Sequence, residues 1–144
     1  MSGTLVVGYD ASDTAERALA HAVDVAKKQD SRIVLVHVLE WSPYSFLTPE
    51  ELEERHSRRR EELARAESAV IAPVKTRLED EGISVETQIN YGHTAELLMK
   101  VAKERGASQI IVGRDGHGGF AARFFGSTAA TLVQLAPVPC TIVP

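Results

Sequence analysis

A single cysteine, Cys140, stands among 144 residues, so no internal disulfide can form. The chain must be held by its core, and this length is close to the usual size of one domain with core enough to need neither disulfide nor metal. One expected domain therefore spans residues 1–144. Sparse cysteine also fits a reducing compartment, and a cytoplasmic location is expected. No apolar run approaches the ~18 residues of a membrane span. Met1-Ser2-Gly3-Thr4 runs straight into an apolar segment without the basic flank of a signal peptide. Positive charge is not in excess either. The formal net charge is −4 and the isoelectric point about 5.7, a balance that recruits neither nucleic acid nor an anionic membrane.

Several motifs are missing too. There is no G-x-x-x-x-G-K-[S/T] and no lysine after Lys103, which excludes a P-loop NTPase. The same lack of a late lysine argues against a receiver-type signalling domain, which needs one on its fifth strand. Gly8-Tyr9-Asp10-Ala11-Ser12 does not supply the glycine fingerprint of a dinucleotide-binding fold. No histidine pair has H-E-x-x-H spacing. Cys140 lies in an apolar final segment and reads as a small packing residue rather than a nucleophile.

What is present alternates regularly. Five β-rich runs, Thr4–Tyr9, Arg32–Leu39, Ile83–Tyr91, Ser108–Gly113 and Pro139–Val143, are separated by helical patterns. The first, second and fourth runs are almost continuously apolar and β-branched, as strands buried on both faces are. The third alternates, with Ile83, Val85, Thr87 and Ile89 on one face, and reads as an edge strand. Ser12 or Asp13 can cap a first helix with the stripe Ala15, Leu19, Ala22, Val23 and Ala26. Thr48-Pro49-Glu50-Glu51 is a capping box opening a second, with Leu52, Leu63, Ala66, Val70, Val74 and Leu78 at helical spacing. Pro73 should kink or split that pattern. Its charged part, 50–65, reads as a solvated helix face laced with ion pairs. Thr94 can cap a third helix that Gly106 stops, and a fourth should run from near Ser127 to before Pro137. Such alternation predicts a doubly wound α/β fold with a parallel sheet.

The richest segment is Ile110–Thr128, IIVGRDGHGGFAARFFGST. A buried strand ends at Gly113, glycines follow at 116, 118 and 119, and Gly126-Ser127 opens a helix. Glycine lets the main chain come close to a ligand and turn its N–H groups inward on an anion. A helix N-terminus adds unpaired N–H groups and partial positive charge, and Ser127 and Thr128 add hydroxyl donors. All 20 acidic residues lie at or before Asp115, while Arg114, His117 and Arg123 lie in or beside the loop. Open α/β sheets bind ligands beyond the carboxyl ends of their strands, where this loop falls.

Gly113-x2-Gly116-x9-Gly126-Ser127 matches without a gap the G-x2-G-x9-G-[S/T] signature of ATP-binding universal stress proteins, and the chain resembles that family throughout. An aspartate, Asp10, ends the first strand, His37-Val38 ends the second, Gly92-x-x-Ala95-Glu96 precedes the third helix, and Pro137-x-Pro139-x-x-x-Val143 closes the chain. The resemblance implies a Rossmann-like, adenine nucleotide alpha hydrolase-like fold, with a five-stranded parallel sheet in the order 3-2-1-4-5. It implies an adenine nucleotide ligand, ATP or else AMP or ADP, which Mg2+ can accompany. It also implies a cytosolic homodimer, a role in stress response and an unidentified regulatory protein partner.

By the same resemblance, Gly8, Tyr9 and Asp10 contact the adenosine, Asp10 accepting hydrogen bonds from ribose hydroxyls or the adenine amino group. The Val38 main chain meets the adenine edge, and Val112 and Gly113 border base and ribose. Gly116 approaches the phosphates, which Gly126, Ser127 and Thr128 bind. Arg114 and His117 are further phosphate candidates; relatives carry a small polar residue at the first position and arginine or lysine at the second. His37 reads as a buried, hydrogen-bonded histidine. No general base stands beside the expected γ-phosphate, and magnesium finds no dedicated ligand beyond Ser127 and Asp10. The expected function is thus nucleotide-dependent regulation, with slow ATP hydrolysis as the alternative. The last strand, Pro139–Val143, is expected to pair antiparallel with its copy in a homodimer.

Overall fold

The computed structural model describes residues 3–39, 48–115 and 126–144. Its five strands, β1 (Thr4–Gly8), β2 (Arg32–Leu39), β3 (Val85–Tyr91), β4 (Gln109–Gly113) and β5 (Cys140–Val143), form one parallel sheet in the order β3-β2-β1-β4-β5. β1, β2 and β4 are apolar and largely β-branched because they lie between helices, where both faces must be apolar. β3 and β5 form the two edges, as alternation in β3 and the sheet order implied by the family resemblance led one to expect.

Helices α1 (Asp13–Gln29) and α3 (Ala72–Asp80) cover one face of the sheet, and α4 (Thr94–Arg105) and α5 (Ser127–Leu135) cover the other. On the first face Leu5, Val7, Ile33, Leu35 and Ile111 pack on Ala15, Leu19, Ala22, Ile71 and Leu78. On the second, Val6, Val34, Val36, Ile110 and Val112 pack on Leu98, Val101, Ala102 and Leu132. Each fully buried aliphatic side chain contributes about 1.5–3 kcal/mol relative to exposure. Strict alternation along β1 and β2 sends neighbouring residues to opposite cores.

Ser12 is the cap of α1: its Oγ accepts from the Ala15 N–H at 3.2 Å. α1 ends at Asp30 in the left-handed conformation, φ 51°, and α4 ends the same way at Gly106, φ 59°. Thr94 does not cap α4. It is the first helical residue, and His93 occupies the cap position without a side-chain bond to the helix. The second helical pattern divides into three. α2 (Pro49–Arg65) begins with the expected capping box, a π-helical turn occupies Ala66–Ile71, and α3 follows. Pro73 sits in the first turn of α3, where its missing N–H costs least. The wide turn before it lets the Ala72 N–H reach the Glu67 carbonyl, five residues back.

α2 buries no residue, and Leu52, expected on an apolar stripe, is 44% exposed. The distal part of that stripe reaches the core: Ala66, Val74 and Leu78 are buried and Val70 packs half-buried against the core. Arg58 and Glu54 form an i,i+4 pair on α2, and Glu62 and Arg59 reach across to Tyr91 of β3. Among the described residues no helix is long and apolar enough to cross a membrane.

Candidate functional site

The carboxyl ends of β1, β2 and β4 open onto a cavity of about 490 Å³. Ten candidate residues lie in the described part, Gly8, Tyr9, Asp10, Val38, Val112, Gly113, Arg114, Gly126, Ser127 and Thr128, and all of them line it. Gly116 and His117 lie outside the described residues. Val36, Val38, Leu98 and Val112 supply an apolar wall, and the main chain of Gly8 passes beneath it. A Cβ on Gly8 would come within 3.1 Å of both Leu98 Cδ1 and Val112 Cγ1, so glycine there keeps the floor of the cavity low.

The polar groups come from helix starts. α4 begins at this cavity with Thr94 and α5 with Ser127, Thr128 and Ala129. Neither helix has a side-chain cap: His93 and Gly126 hold the cap positions and make no such bond. Two sets of first-turn N–H groups are thus left for solvent or a ligand, with the positive ends of both helix dipoles at the cavity. α1, by contrast, is satisfied by Ser12.

The loop between β4 and α5 is closed at its base. The Gly126 N–H donates to the Arg114 carbonyl at 2.9 Å, and the Arg114 N–H donates to the Val143 carbonyl at 2.7 Å. Thr14 Oγ1 donates to the Asp115 carbonyl at 2.5 Å, tying the loop to the first turn of α1. Gly113 has no room for a side chain. A Cβ would lie 2.5 Å from Thr14 Oγ1 and 2.7 Å from the Thr14 carbonyl carbon. This glycine of the motif is therefore demanded by packing of α1 on β4, whatever a ligand requires. Gly126, with φ −59°, is in a conformation open to any residue, so its place in the motif does not rest on left-handed geometry.

Asp10 serves the turn and the cavity together. Its Oδ1 accepts from the Ser12 N–H at 3.0 Å and from the Ser12 hydroxyl, bracing a turn in which Ala11 has φ 63°. Tyr9 is buried, and its hydroxyl bonds to Glu16, whose other oxygen pairs with Arg77 at 3.1 Å. Burial foremost, and Glu16 after it, raise the Tyr9 pKa. That side chain is engaged in the core, and the Tyr9 N–H donates to the Val36 carbonyl at 2.9 Å. His37 is buried as expected, with Nδ1 2.7 Å from the Tyr9 carbonyl; a carbonyl can only accept, so Nδ1 carries the proton. Burial raises the Cys140 thiol, in keeping with a packing role.

Sequence reading missed Thr94, Leu98 and Asp115 in the lining. Thr94 and Leu98 carry only the signal of an ordinary helix start and stripe. Asp115, within the glycine-rich segment, was visible only as the last acidic residue of the chain. The described residues contain no group of three or more His, Cys, Asp or Glu side chains able to hold a metal. The hard oxygens of Asp10, Asp115 and Ser127 line the cavity together.

The universal stress protein family model matches residues 1–144. A universal stress protein of Thermus aquaticus is 30% identical over 143 residues, covering 99% of each chain. Universal stress protein UspA from Lactobacillus plantarum superposes with TM-score 0.84 at 23% identity, covering 99% of this chain and 97% of that one. The Archaeoglobus fulgidus universal stress protein in complex with dAMP superposes at 0.65 with 20% identity, covering 100% and 98%. With the family model spanning the whole length and the sheet order in agreement, the chain belongs to the universal stress protein family.

Proposed function

We propose that this chain is an adenine-nucleotide-binding regulator of the stress response. It takes ATP, ADP or AMP in the cavity above β1, β2 and β4 and passes the occupancy to a protein partner. The carrying observation is the convergence of two helix starts without side-chain caps on one cavity whose opposite wall is apolar. An apolar slot suits a base, and unpaired N–H groups at a helix start suit a phosphate. The dAMP bound by the Archaeoglobus relative is a ligand of this chemical kind. In this reading the base lies against Val36, Val38, Leu98 and Val112, Asp10 meets the ribose, and Ser127 and Thr128 with their N–H groups hold phosphate. Regulation is favoured over turnover because the described residues hold no cluster of His, Cys, Asp or Glu side chains for a metal beside the cavity. The open edge of β5 is the proposed homodimer contact.

The test is equilibrium binding of ATP and AMP to the purified protein and to Ser127→Asp. An aspartate at the first position of α5 favours the helix but opposes a phosphate there. Nucleotide affinity should fall by about tenfold or more, with no loss of thermal stability. Absence of binding by the unaltered protein at millimolar nucleotide, or equal affinity in the variant, rejects the reading.

A further inference from the structure

Asp115 is a carboxylate in a place that a polyphosphate site would not be expected to tolerate. It lines the cavity two residues beyond the end of β4. Its carbonyl is held by Thr14 Oγ1, so the residue is anchored to α1. Its side chain is 17% exposed, and Oδ1 is buried without a hydrogen-bond donor among the described residues. Arg114 Nε stands 3.9 Å from that oxygen, beyond hydrogen-bond reach. A buried carboxylate oxygen left without a donor is costly, and an orphan of this kind calls for a functional account. Among the described lining residues, Asp10 and Asp115 set two negative charges against the one guanidinium of Arg114.

Resting on the nucleotide reading above, we propose that Asp115 is a specificity-determining residue that sorts adenine nucleotides by phosphate charge. It admits a monophosphate and disfavours di- and triphosphates that carry no metal. The start of α5 and its hydroxyls accommodate one phosphoryl group. Each additional group brings about one more negative charge into a space already holding a carboxylate of low solvent access, where repulsion is weakly screened. A divalent cation carried in on the polyphosphate neutralises this repulsion, since its charge outweighs the neighbouring ones.

Isothermal titration of AMP, ADP and ATP, with chelator and with Mg2+, into the full chain and into Asp115→Asn tests this. Asparagine keeps the shape and the carbonyl that Thr14 holds. Without metal, the unaltered protein should bind AMP most tightly and ATP least. Asp115→Asn should tighten metal-free ATP by about tenfold and AMP by no more than about twofold. Adding Mg2+ should bring ATP binding by the unaltered protein close to that of the variant. If Asp115→Asn unfolds at lower temperature, Asp115→Ser serves in its place. Equal shifts for AMP and ATP, or tighter metal-free ATP than AMP in the unaltered protein, overturn the proposal and leave nucleotide binding standing. Failure of either protein to bind any of the three nucleotides removes the nucleotide reading itself, and charge selection with it.

Discussion

Gly113 illustrates how one residue can belong to a binding motif for a reason unrelated to binding. Its would-be Cβ meets the backbone and side chain of Thr14 at 2.5–2.8 Å, and backbone cannot step aside as a flexible side-chain tip can. Gly113→Ala should therefore cost about 2–3 kcal/mol in denaturant unfolding, by separating α1 from β4. It should weaken nucleotide binding too, because Thr14 also fixes the Asp115 carbonyl. A stability unchanged within about 0.5 kcal/mol would remove the packing argument. Gly113 was legible in the sequence only by spacing, and spacing could not separate these causes. Asp10 was similar: a turn aspartate and a ligand-facing aspartate look alike until Ser12 is seen donating twice to Oδ1. Asp115 went unread because its meaning lies in a missing partner, a property of three-dimensional surroundings.

Elements were read more securely than residues. β2 was placed at its observed bounds, and the division into two apolar faces followed from runs that are apolar throughout, whereas the order of the sheet came from the resemblance to universal stress proteins. Those signals are local and repeated, so a single misread position does not shift them. Pro73 lies at the start of a separate helix, as the expected split requires; the miss was the proximal part of the pattern, where Leu52 was placed on an apolar stripe but α2 buries no residue. A proline demands a break, and the π-helical turn supplying it rotates the apolar stripe, leaving α2 without a buried residue. Among the described residues, α2 keeps its cap, the Glu54–Arg58 pair and polar contacts with Tyr91. The Tyr91 hydroxyl donates to Glu62 at 2.5 Å, and its pKa is pushed up to about 12 by burial first and Glu62 next. Thr48→Ala, which removes the capping box, should cost α2 about 1 kcal/mol of local stability. Amide exchange should quicken in 49–58, while the main unfolding transition moves little, because no core depends on that segment. A large drop in the global transition would mean that α2 folds with the sheet rather than beside it.

At the scale of the whole molecule the open question is the edge at β5. The Ile110 N–H donates to the Pro139 carbonyl and the Arg114 N–H to the Val143 carbonyl, so odd-numbered residues of β5 face β4. Alternation then turns the N–H and carbonyl of Cys140 and Ile142 towards the open side. Beside that edge, α5 leaves Val133 63% and Leu135 66% exposed, an apolar margin that a monomer has little reason to keep in water. Antiparallel pairing of β5 with its two-fold copy would satisfy the outward groups and cover that margin together. Ile142→Pro probes this pairing selectively. Proline removes an outward N–H and leaves the β4 ladder its donors, as edge strands permit. Light scattering at micromolar concentration should report a dimer for the unaltered chain and a monomer for Ile142→Pro, with circular dichroism unchanged. A monomer in both cases discards the pairing. A dimer in both moves the contact to some other surface and leaves the unpaired edge of β5 to solvent.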